Sequence, residues 1–127
     1  MSSIHQEVSF PTTPAKVFHA LMDSDAHSGF TGAPAVVSSE AGGTWSAYGG
    51  SISGRNIEIS KTLIVQAWRA GNWAPGVYSL VRFELRAEEG GTRVVLDHTG
   101  CPDGTKEHLE AGWTANYWGP LETLFSS

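Results

Sequence analysis

The last quarter of the chain carries the feature that most constrains its fold, an amphipathic stripe rich in aromatic residues. Between residues 106 and 125, large apolar side chains recur at three- and four-residue intervals, at Leu109, Trp113, Tyr117, Leu121 and then Leu124 or Phe125. This spacing predicts a long helix with one apolar face. Because so aromatic a face must be buried and the helix comes last, we expect a sheet formed earlier in the chain to receive it.

The residues before this helix predict one strand, two short helices and then six strands. Residues 4–10 alternate apolar and polar side chains, as a half-buried strand does. Thr13 and Pro14 are typical of a helix start, and a shorter helix or turn should follow at 23–30. Period-two patterns separated by glycine turns then predict strands at 35–39, 44–48, 53–60, 63–70, 76–87 and 92–99.

Strands gathered in one block, with helices before and after, indicate an α+β fold in a single domain covering residues 1–127. So many antiparallel strands should curl, and the concave face then needs a cover. Only the C-terminal helix is large and apolar enough to cover it. Gly119 and Pro120 lie inside that helix, and we expect a kink there because proline lacks the backbone donor.

Composition and charge exclude several classes of partner. The formal net charge is −5, and the 8 Lys and Arg residues are scattered, which disfavours nucleic acid and anionic membranes. Apolar runs are too short to span a bilayer, and residues 1–7 lack the regions of a signal peptide. Cys101 is the only cysteine, so no disulfide forms within the chain and a cytoplasmic location is expected.

An ordered set of residues resembles the activator of heat-shock protein 90 ATPase family, and in particular its C-terminal domain. The set comprises Phe30-Thr31-Gly32-Ala33-Pro34-Ala35, Gly42-Gly43, Trp45, Gly54, Trp68-Arg69, Trp73, Pro75-Gly76, Gly100, Pro102, Gly112-Trp113 and Tyr117. The resemblance implies the START-like, helix-grip fold, in which a curved antiparallel sheet wraps around a long C-terminal helix. It also implies a chaperone partner, since the two-domain members bind the chaperone and stimulate its ATPase.

The five tryptophans and their aromatic neighbours are the richest candidate site. They predict either a cavity for a small apolar ligand or dense packing between helix and sheet. The predicted cavity residues are Trp45, Tyr48, Trp68, Arg69, Phe83, His98, Trp113, Tyr117 and Leu121. Trp73 and Trp118 are the predicted partner surface. Trp73 lies in a glycine-containing loop and would line the cavity mouth or an interface, whereas Trp118 would pack beside the first helices or face a partner.

The polar candidates have both structural and chemical interpretations. His98 shares a strand face with Val94 and Leu96, so it would be a hydrogen-bonded core histidine or a cavity acid or base. Arg69 would pair with Glu58 across strands or bind a carboxylate ligand. The five histidines lack the spacing of metal ligands, and no nucleophile motif is present. We therefore expect no metal, no cofactor and no catalytic residue.

The function expected from these patterns is a non-catalytic binding module with a cavity between the sheet and the C-terminal helix. The family resemblance favours a chaperone as partner, and the aromatic cavity favours a small hydrophobic ligand. A cyclase- or lyase-type enzyme is the remaining alternative, with His98, Tyr48, Tyr117 and Arg69 as its candidate groups. Sheet edges and exposed aromatic side chains also allow a homodimer.

Overall fold

The computed structural model describes residues 2–126, and its elements follow the predicted order of strand, two helices, six strands and C-terminal helix. The strands are β1 (Ser2–Phe10), β2 (Val36–Val37), β3 (Thr44–Ala47), β4 (Ile52–Ile59), β5 (Leu63–Ala70), β6 (Ser79–Glu88) and β7 (Gly91–Cys101). The helices are α1 (Pro14–Met22), α2 (Ser24–Thr31), α3 (Lys106–Trp113) and α4 (Gly119–Phe125). A 3-10 turn covers Tyr48–Gly50, and a π-helical turn, Thr114–Trp118, joins α3 to α4.

The seven strands form one antiparallel sheet in the order β1-β7-β6-β5-β4-β3-β2. Strands β2 to β7 therefore pair in chain order, and β1 adds to the free edge of β7, with Val8 opposite Val94. The predicted α+β, helix-grip architecture is confirmed. The strand at 35–39 is shorter than predicted, since only Val36 and Val37 pair, and the strand predicted from 76 begins at Ser79 because Gly76 adopts a left-handed turn conformation with φ +79°.

The first two helices begin where their capping residues stand. Thr13 accepts a hydrogen bond from the backbone N–H of Lys16 at 3.3 Å, and Pro14 occupies the first helical position. Asp23 caps α2 in the same way, accepting from the N–H of Ala26 at 2.9 Å. The caps satisfy donors that the first helical turn leaves free, and they set where α1 and α2 begin.

The core lies between the concave face of the sheet and the C-terminal helical segment. Strands β6 and β7 direct alternate side chains inwards, among them Val81, Phe83 and Val94. The helical stripe predicted from the sequence is buried against them: Leu109, Trp113, Tyr117 and Leu121 are each no more than 9% exposed. Most of this interior is filled, so any open space is confined to the margin of the interface.

The C-terminal helix is interrupted earlier than proline alone predicts. The N–H of Gly119 bonds to the carbonyl of Thr114, five residues back, which defines the π-helical turn. Pro120 has no N–H to give to the carbonyl of Asn116, four residues before it. The hydroxyl of Tyr48 donates to that carbonyl instead, at 2.7 Å. The helix therefore continues through the proline with a widened turn. The hydrogen bond from Tyr48 joins the 3-10 turn to this part of the helix.

Candidate functional site

An open cavity of about 370 Å³ lies between α3, the ends of β4 and β5, and the loop at residues 71–78. It is lined by Tyr48, Ser51, Ile52, Trp68, Ala70, Asn72, Trp73, Thr105, His108, Leu109, Gly112, Trp113, Asn116 and Tyr117. A volume of this size falls at the lower end of the range for small-molecule sites. The cavity is large enough for a compact ligand.

The inner wall of the cavity is a connected set of aromatic rings. The ring of Trp68 lies 5.4 Å from that of Trp73 and 6.2 Å from that of Trp113, and Trp113 lies 4.9 Å from Tyr117. All three pairs are tilted, an arrangement that aromatic quadrupoles favour over a face-to-face sandwich. Because Trp68 and Trp113 are buried in the core and Trp73 is half-buried, the wall is anchored within the fold.

The helical side of the cavity is one face of α3 extended by the π-helical turn. Leu109, Gly112, Trp113, Asn116 and Tyr117 line it, at the three- and four-residue steps of a helix. The glycine leaves this face open, since a Cβ built on Gly112 would meet only the side-chain nitrogen of Asn116, at 3.8 Å. The absence of a side chain at this position therefore contributes directly to the cavity volume.

Tyr48 also lines the cavity, and its backbone adopts an unusual conformation. It is the one non-glycine residue among residues 2–126 with positive φ, at +53°, and Gly49 follows at +66°. A left-handed conformation is costly for tyrosine, so surrounding contacts must hold it. The hydrogen bond from its hydroxyl to the Asn116 carbonyl supplies one such contact, and its ring lies 6.2 Å from that of Tyr117.

His98 is hydrogen-bonded through both ring nitrogens inside the core. The indole N–H of Trp113 donates to Nδ1 at 3.1 Å, which leaves the proton on Nε2, and Nε2 lies 2.7 Å from the hydroxyl of Ser79. That hydroxyl in turn donates to the carbonyl of Trp68 at 3.0 Å. Burial lowers the pKa of His98 to about 4, so the ring is neutral at physiological pH. The chain of bonds fixes Trp113 against β5 and β6.

A second buried histidine lies behind the cavity wall. Nε2 of His27 lies 3.0 Å from the hydroxyl of Tyr117, and burial lowers the pKa of His27 to about 4. Burial likewise raises the pKa of Tyr117 far above its ordinary value. His27 and Tyr117 border a second, small space of about 20 Å³, just enough for one water molecule. Tyr117 lines both this small space and the open cavity, whereas His27 borders the small space alone.

The described lining of the cavity holds one basic side chain, the imidazole of His108. Within residues 2–126, no Asp, Glu, Lys or Arg lines the cavity, although the whole chain carries a net charge of −5. Arg69 does not contribute a charge here, because its guanidinium donates to the carbonyl of Trp73 at 2.7 Å and lies 5.8 Å from the ring of Tyr78. In the same described part of the chain, no group of His, Cys, Asp and Glu side chains could hold a metal ion.

The structure places the predicted cavity residues in three environments. Tyr48, Trp68, Trp113 and Tyr117 line the open cavity, whereas Trp45 and Phe83 border the second, small space instead. His98 and Leu121 are fully buried in the core. Arg69 lies beside the loop, and the alternative pairing with Glu58 is wrong, since β4 and β5 align Arg69 with Ser53 and Glu58 with Val65.

The two predicted partner-surface residues separate. Trp73 is half-buried at the cavity mouth. Trp118 is buried, and placing it on a partner surface was wrong. Its ring stacks on Trp113 at 5.9 Å and its N–H donates to the side chain of Gln6 at 2.6 Å. The π-helical turn is the reason, because five residues in one turn bring positions 113 and 118 to the same side.

Other cavity residues were missed by the sequence analysis. Leu109, Gly112 and Asn116 follow from the spacing of Trp113 and Tyr117 along a helix, so that signal was available. Ser51, Asn72, Thr105 and His108 enter the lining through loops or through the first helical turn. Periodicity gives no signal for residues of that kind.

A curved antiparallel sheet that holds a C-terminal helix, with a cavity at their margin, defines a helix-grip domain. The family model described as "Activator of Hsp90 ATPase homolog 1-like protein" matches residues 11–126. The chain belongs to this family. No helix within residues 2–126 is both long and apolar enough to cross a membrane.

Named relatives agree with this assignment. The chain is 33% identical over 119 residues to an activator of 90 kDa heat shock protein ATPase homolog from Dictyostelium discoideum, covering 92% of this chain and 31% of that protein. It is 26% identical to homolog 2 from Mus musculus, covering 96% of this chain and 37% of that protein. The chain thus spans about a third of the length of these relatives.

Solved structures share the whole fold. The crystal structure of an HSP90 activator from Plasmodium falciparum superposes with a TM-score of 0.93 at 27% identity, covering 99% of this chain and 97% of the other. The solution structure of an Aha1 dimer from Colwellia psychrerythraea superposes with a TM-score of 0.77 at 18% identity, covering 98% and 94% of the two chains. The second likeness concerns the fold alone.

Proposed function

We propose that this chain is a chaperone-binding module whose partner is a 90 kDa heat shock protein. The relatives that it matches are named as activators of that chaperone, and the Plasmodium falciparum activator has the same fold over its whole length. Because the chain corresponds to about a third of the curated relatives, binding is the part of their activity that we assign to it.

The observation that carries a docking surface is the exposed apolar start of β6. Tyr78 is 53% exposed and Leu80 is 41% exposed, although both belong to a folded strand and its approach. Leu80 pairs with Ala67 on the neighbouring strand, so the apolar surface continues onto β5. Exposed apolar side chains that adjoin one another in this way are typical of protein interfaces. Trp73 extends the surface towards the cavity mouth.

Arg69 gives this surface a cationic centre. Its guanidinium lies 5.8 Å from the centre of the Tyr78 ring and is held by the Trp73 carbonyl. Arginine and tyrosine are the residue types most enriched at interface hot spots. Together, Arg69, Trp73, Tyr78 and Leu80 form what we name the β6 surface.

Binding to the purified 90 kDa chaperone, measured by fluorescence anisotropy of the labelled chain, tests this proposal. We expect Tyr78→Ala and Leu80→Ser each to weaken binding at least tenfold, since an interface anchor is typically worth 2 kcal/mol or more. Val36→Ser is the matched control, because Val36 is 70% exposed on the short strand β2, away from the β6 surface. It should bind like the wild type.

Each result separates two parts of the proposal. Absence of wild-type binding would overturn the chaperone assignment. Wild-type affinity in both β6 variants would overturn the surface while leaving the partner in place. Trp73→Ala is expected to weaken binding as well, with the fold retained because this side chain is only half-buried.

Two further properties stay predictions. A cytoplasmic location rests on the single cysteine, which is buried and unpaired. A homodimer would use the free sheet edge at β2, where Val36 is exposed, and size-exclusion chromatography with light scattering would detect it.

A further inference from the structure

We propose that the open cavity is a binding site for a neutral, flat aromatic small molecule that carries one hydrogen-bonding group. The proposal concerns a second ligand and does not depend on chaperone binding. It rests on the size of the cavity, the rings that line it, the lack of Asp, Glu, Lys and Arg among its described lining residues, and two side-chain amides that line it.

The cavity walls select an aromatic occupant. Trp68, Trp73 and Trp113 present indole rings and Tyr48 and Tyr117 present phenol rings around a space of about 370 Å³. That space equals the bulk volume of about a dozen water molecules, which suits a fused two- or three-ring system. Ring edges and faces stabilise one another at centroid separations of about 4.5–7 Å, so a flat ligand gains contacts here that a flexible chain does not.

The lack of Asp, Glu, Lys and Arg in the described lining favours a neutral occupant. The guanidinium of Arg69, on the neighbouring strand β5, donates to the Trp73 carbonyl and does not line the cavity. A carboxylate brought into this space would lose part of its hydration and would meet no Lys or Arg, with the exposed imidazole of His108 as the one basic side chain in the lining, so its binding is unfavourable. A fatty acid is therefore disfavoured on both shape and charge.

Two side-chain amides supply the polar recognition. Asn72 lies on the loop and Asn116 on the π-helical turn, and both line the cavity and are exposed. Within residues 2–126, neither amide takes part in a side-chain hydrogen bond, whereas the neighbouring hydroxyl of Thr105 is occupied by the Pro102 carbonyl at 2.6 Å. Each amide offers both donors and an acceptor, so a ligand hydroxyl or carbonyl can be bonded at the mouth.

Isothermal titration calorimetry with 2-naphthol, a neutral two-ring molecule with one hydroxyl, tests the proposal. We expect a dissociation constant of about 100 µM or tighter, as suits a ligand with so few atoms. Decanoate is the contrasting probe and should bind at least tenfold more weakly. The absence of naphthol binding, or equal binding of decanoate, would overturn the proposal.

Variants at Gly112 that fill the cavity test whether 2-naphthol binds there. Gly112→Leu should weaken naphthol binding at least tenfold, because its side chain would occupy the cavity while its Cβ meets only Asn116 at 3.8 Å. Gly112→Ala is the matched control: it adds one methyl group, favours the helix and should change the affinity less than threefold. Unchanged affinity in the leucine variant would show that naphthol binds elsewhere.

The indole N–H signals of the wild type give a readout that requires no variant. On adding 2-naphthol, we expect the signals of Trp68, Trp73 and Trp113 to shift in the ¹H–¹⁵N spectrum. Trp45 borders the second, small space and not the open cavity, so its signal should stay in place. A shift confined to Trp45, or uniform shifts of all five signals, would contradict the assigned site.

Discussion

Lowering the pH from 7 to 5 should destabilise this protein through two buried histidines. His27 and His98 are each no more than 4% exposed, and burial lowers the pKa of both to about 4. In the unfolded chain both rings return to a pKa of about 6.5. Between these values the unfolded state binds more protons than the folded state, so stability is present above pH 6.5 and is lost as the pH falls towards 4.

The expected loss follows from the two pKa values. At pH 5 each imidazole is almost fully protonated in the unfolded state, where its pKa is about 6.5, and is mostly neutral in the folded state. Between pH 7 and 5 this difference lowers the free energy of unfolding by about 2 kcal/mol for each histidine. The two together lower the free energy of unfolding by about 4 kcal/mol. That is a large part of the roughly 5–15 kcal/mol by which domains of this size are stable.

Other titrating groups can be separated from this effect. Hydrogen bonds to Asp97 and Glu7 raise the pKa of the exposed His5, so its contribution has the opposite sign: it is present below pH 6.5 and lost as the pH rises. Hydrogen bonds lower the pKa of Glu7 and Glu88. Their contributions to the free energy of unfolding are therefore lost only as the pH falls below about 4.5. The window from pH 7 to 5, measured in a His5→Gln background, therefore reports the buried histidines.

Urea unfolding at pH 7, 6 and 5, followed by tryptophan fluorescence, measures the effect. The His5→Gln protein should lose about 4 kcal/mol between pH 7 and 5, and adding His98→Gln should remove about half of that pH dependence. A total loss below about 1 kcal/mol would refute the assignment of neutral, buried imidazoles. An unchanged pH dependence in the His98→Gln protein would refute the role of that residue.

Two further substitutions test the local geometry through the urea midpoint. Tyr48→Phe removes the hydrogen bond to the Asn116 carbonyl, which has no backbone donor because Pro120 lacks an N–H. The loss should lower the free energy of unfolding by about 1 kcal/mol. An unchanged midpoint would show that the carbonyl needs no such donor. Gly54→Ala would force a Cβ onto the carbonyl oxygen of Ala67 and should cost about 3 kcal/mol or more, whereas the control Gly29→Ala, which meets nothing in α2, should be stabilising by about 0.5–1 kcal/mol. Equal midpoints for the two glycine variants would contradict the close approach at Gly54.

The sequence predicted the fold well because its strongest signals are periodic. The stripe through Trp113 and Tyr117 predicted the covering helix, and the caps at Thr13 and Pro14 predicted where α1 begins. The paired strands follow from glycine turns that separate alternating segments. The prediction made β2 too long, at residues 35–39, whereas only Val36 and Val37 pair. An apolar segment in the sequence does not indicate how many of its residues form hydrogen bonds with the neighbouring strand.

The candidate site was less predictable, because it depends on departures from regular structure. The π-helical turn adds a residue to one turn and buries Trp118, which an ideal helix places off the stripe. The hydrogen bonds of His98 to Trp113 and Ser79 join residues from different elements, and alternation indicates the inward face without indicating the partners. Residues brought in by loops, such as Asn72, carry no periodic signal at all.

Hydrogen–deuterium exchange of the chain, with and without a purified 90 kDa heat shock protein, tests whether the chain binds this chaperone and which surface it uses. We expect the chaperone to protect backbone amides in residues 71–80, which form the loop and the exposed start of β6. Amides at β2 and in α1 should exchange equally in both samples and serve as internal controls. Protection confined to β2 or α1, or no protection anywhere at saturating chaperone, would contradict the assignment of this chain as a chaperone-binding module that uses the β6 surface.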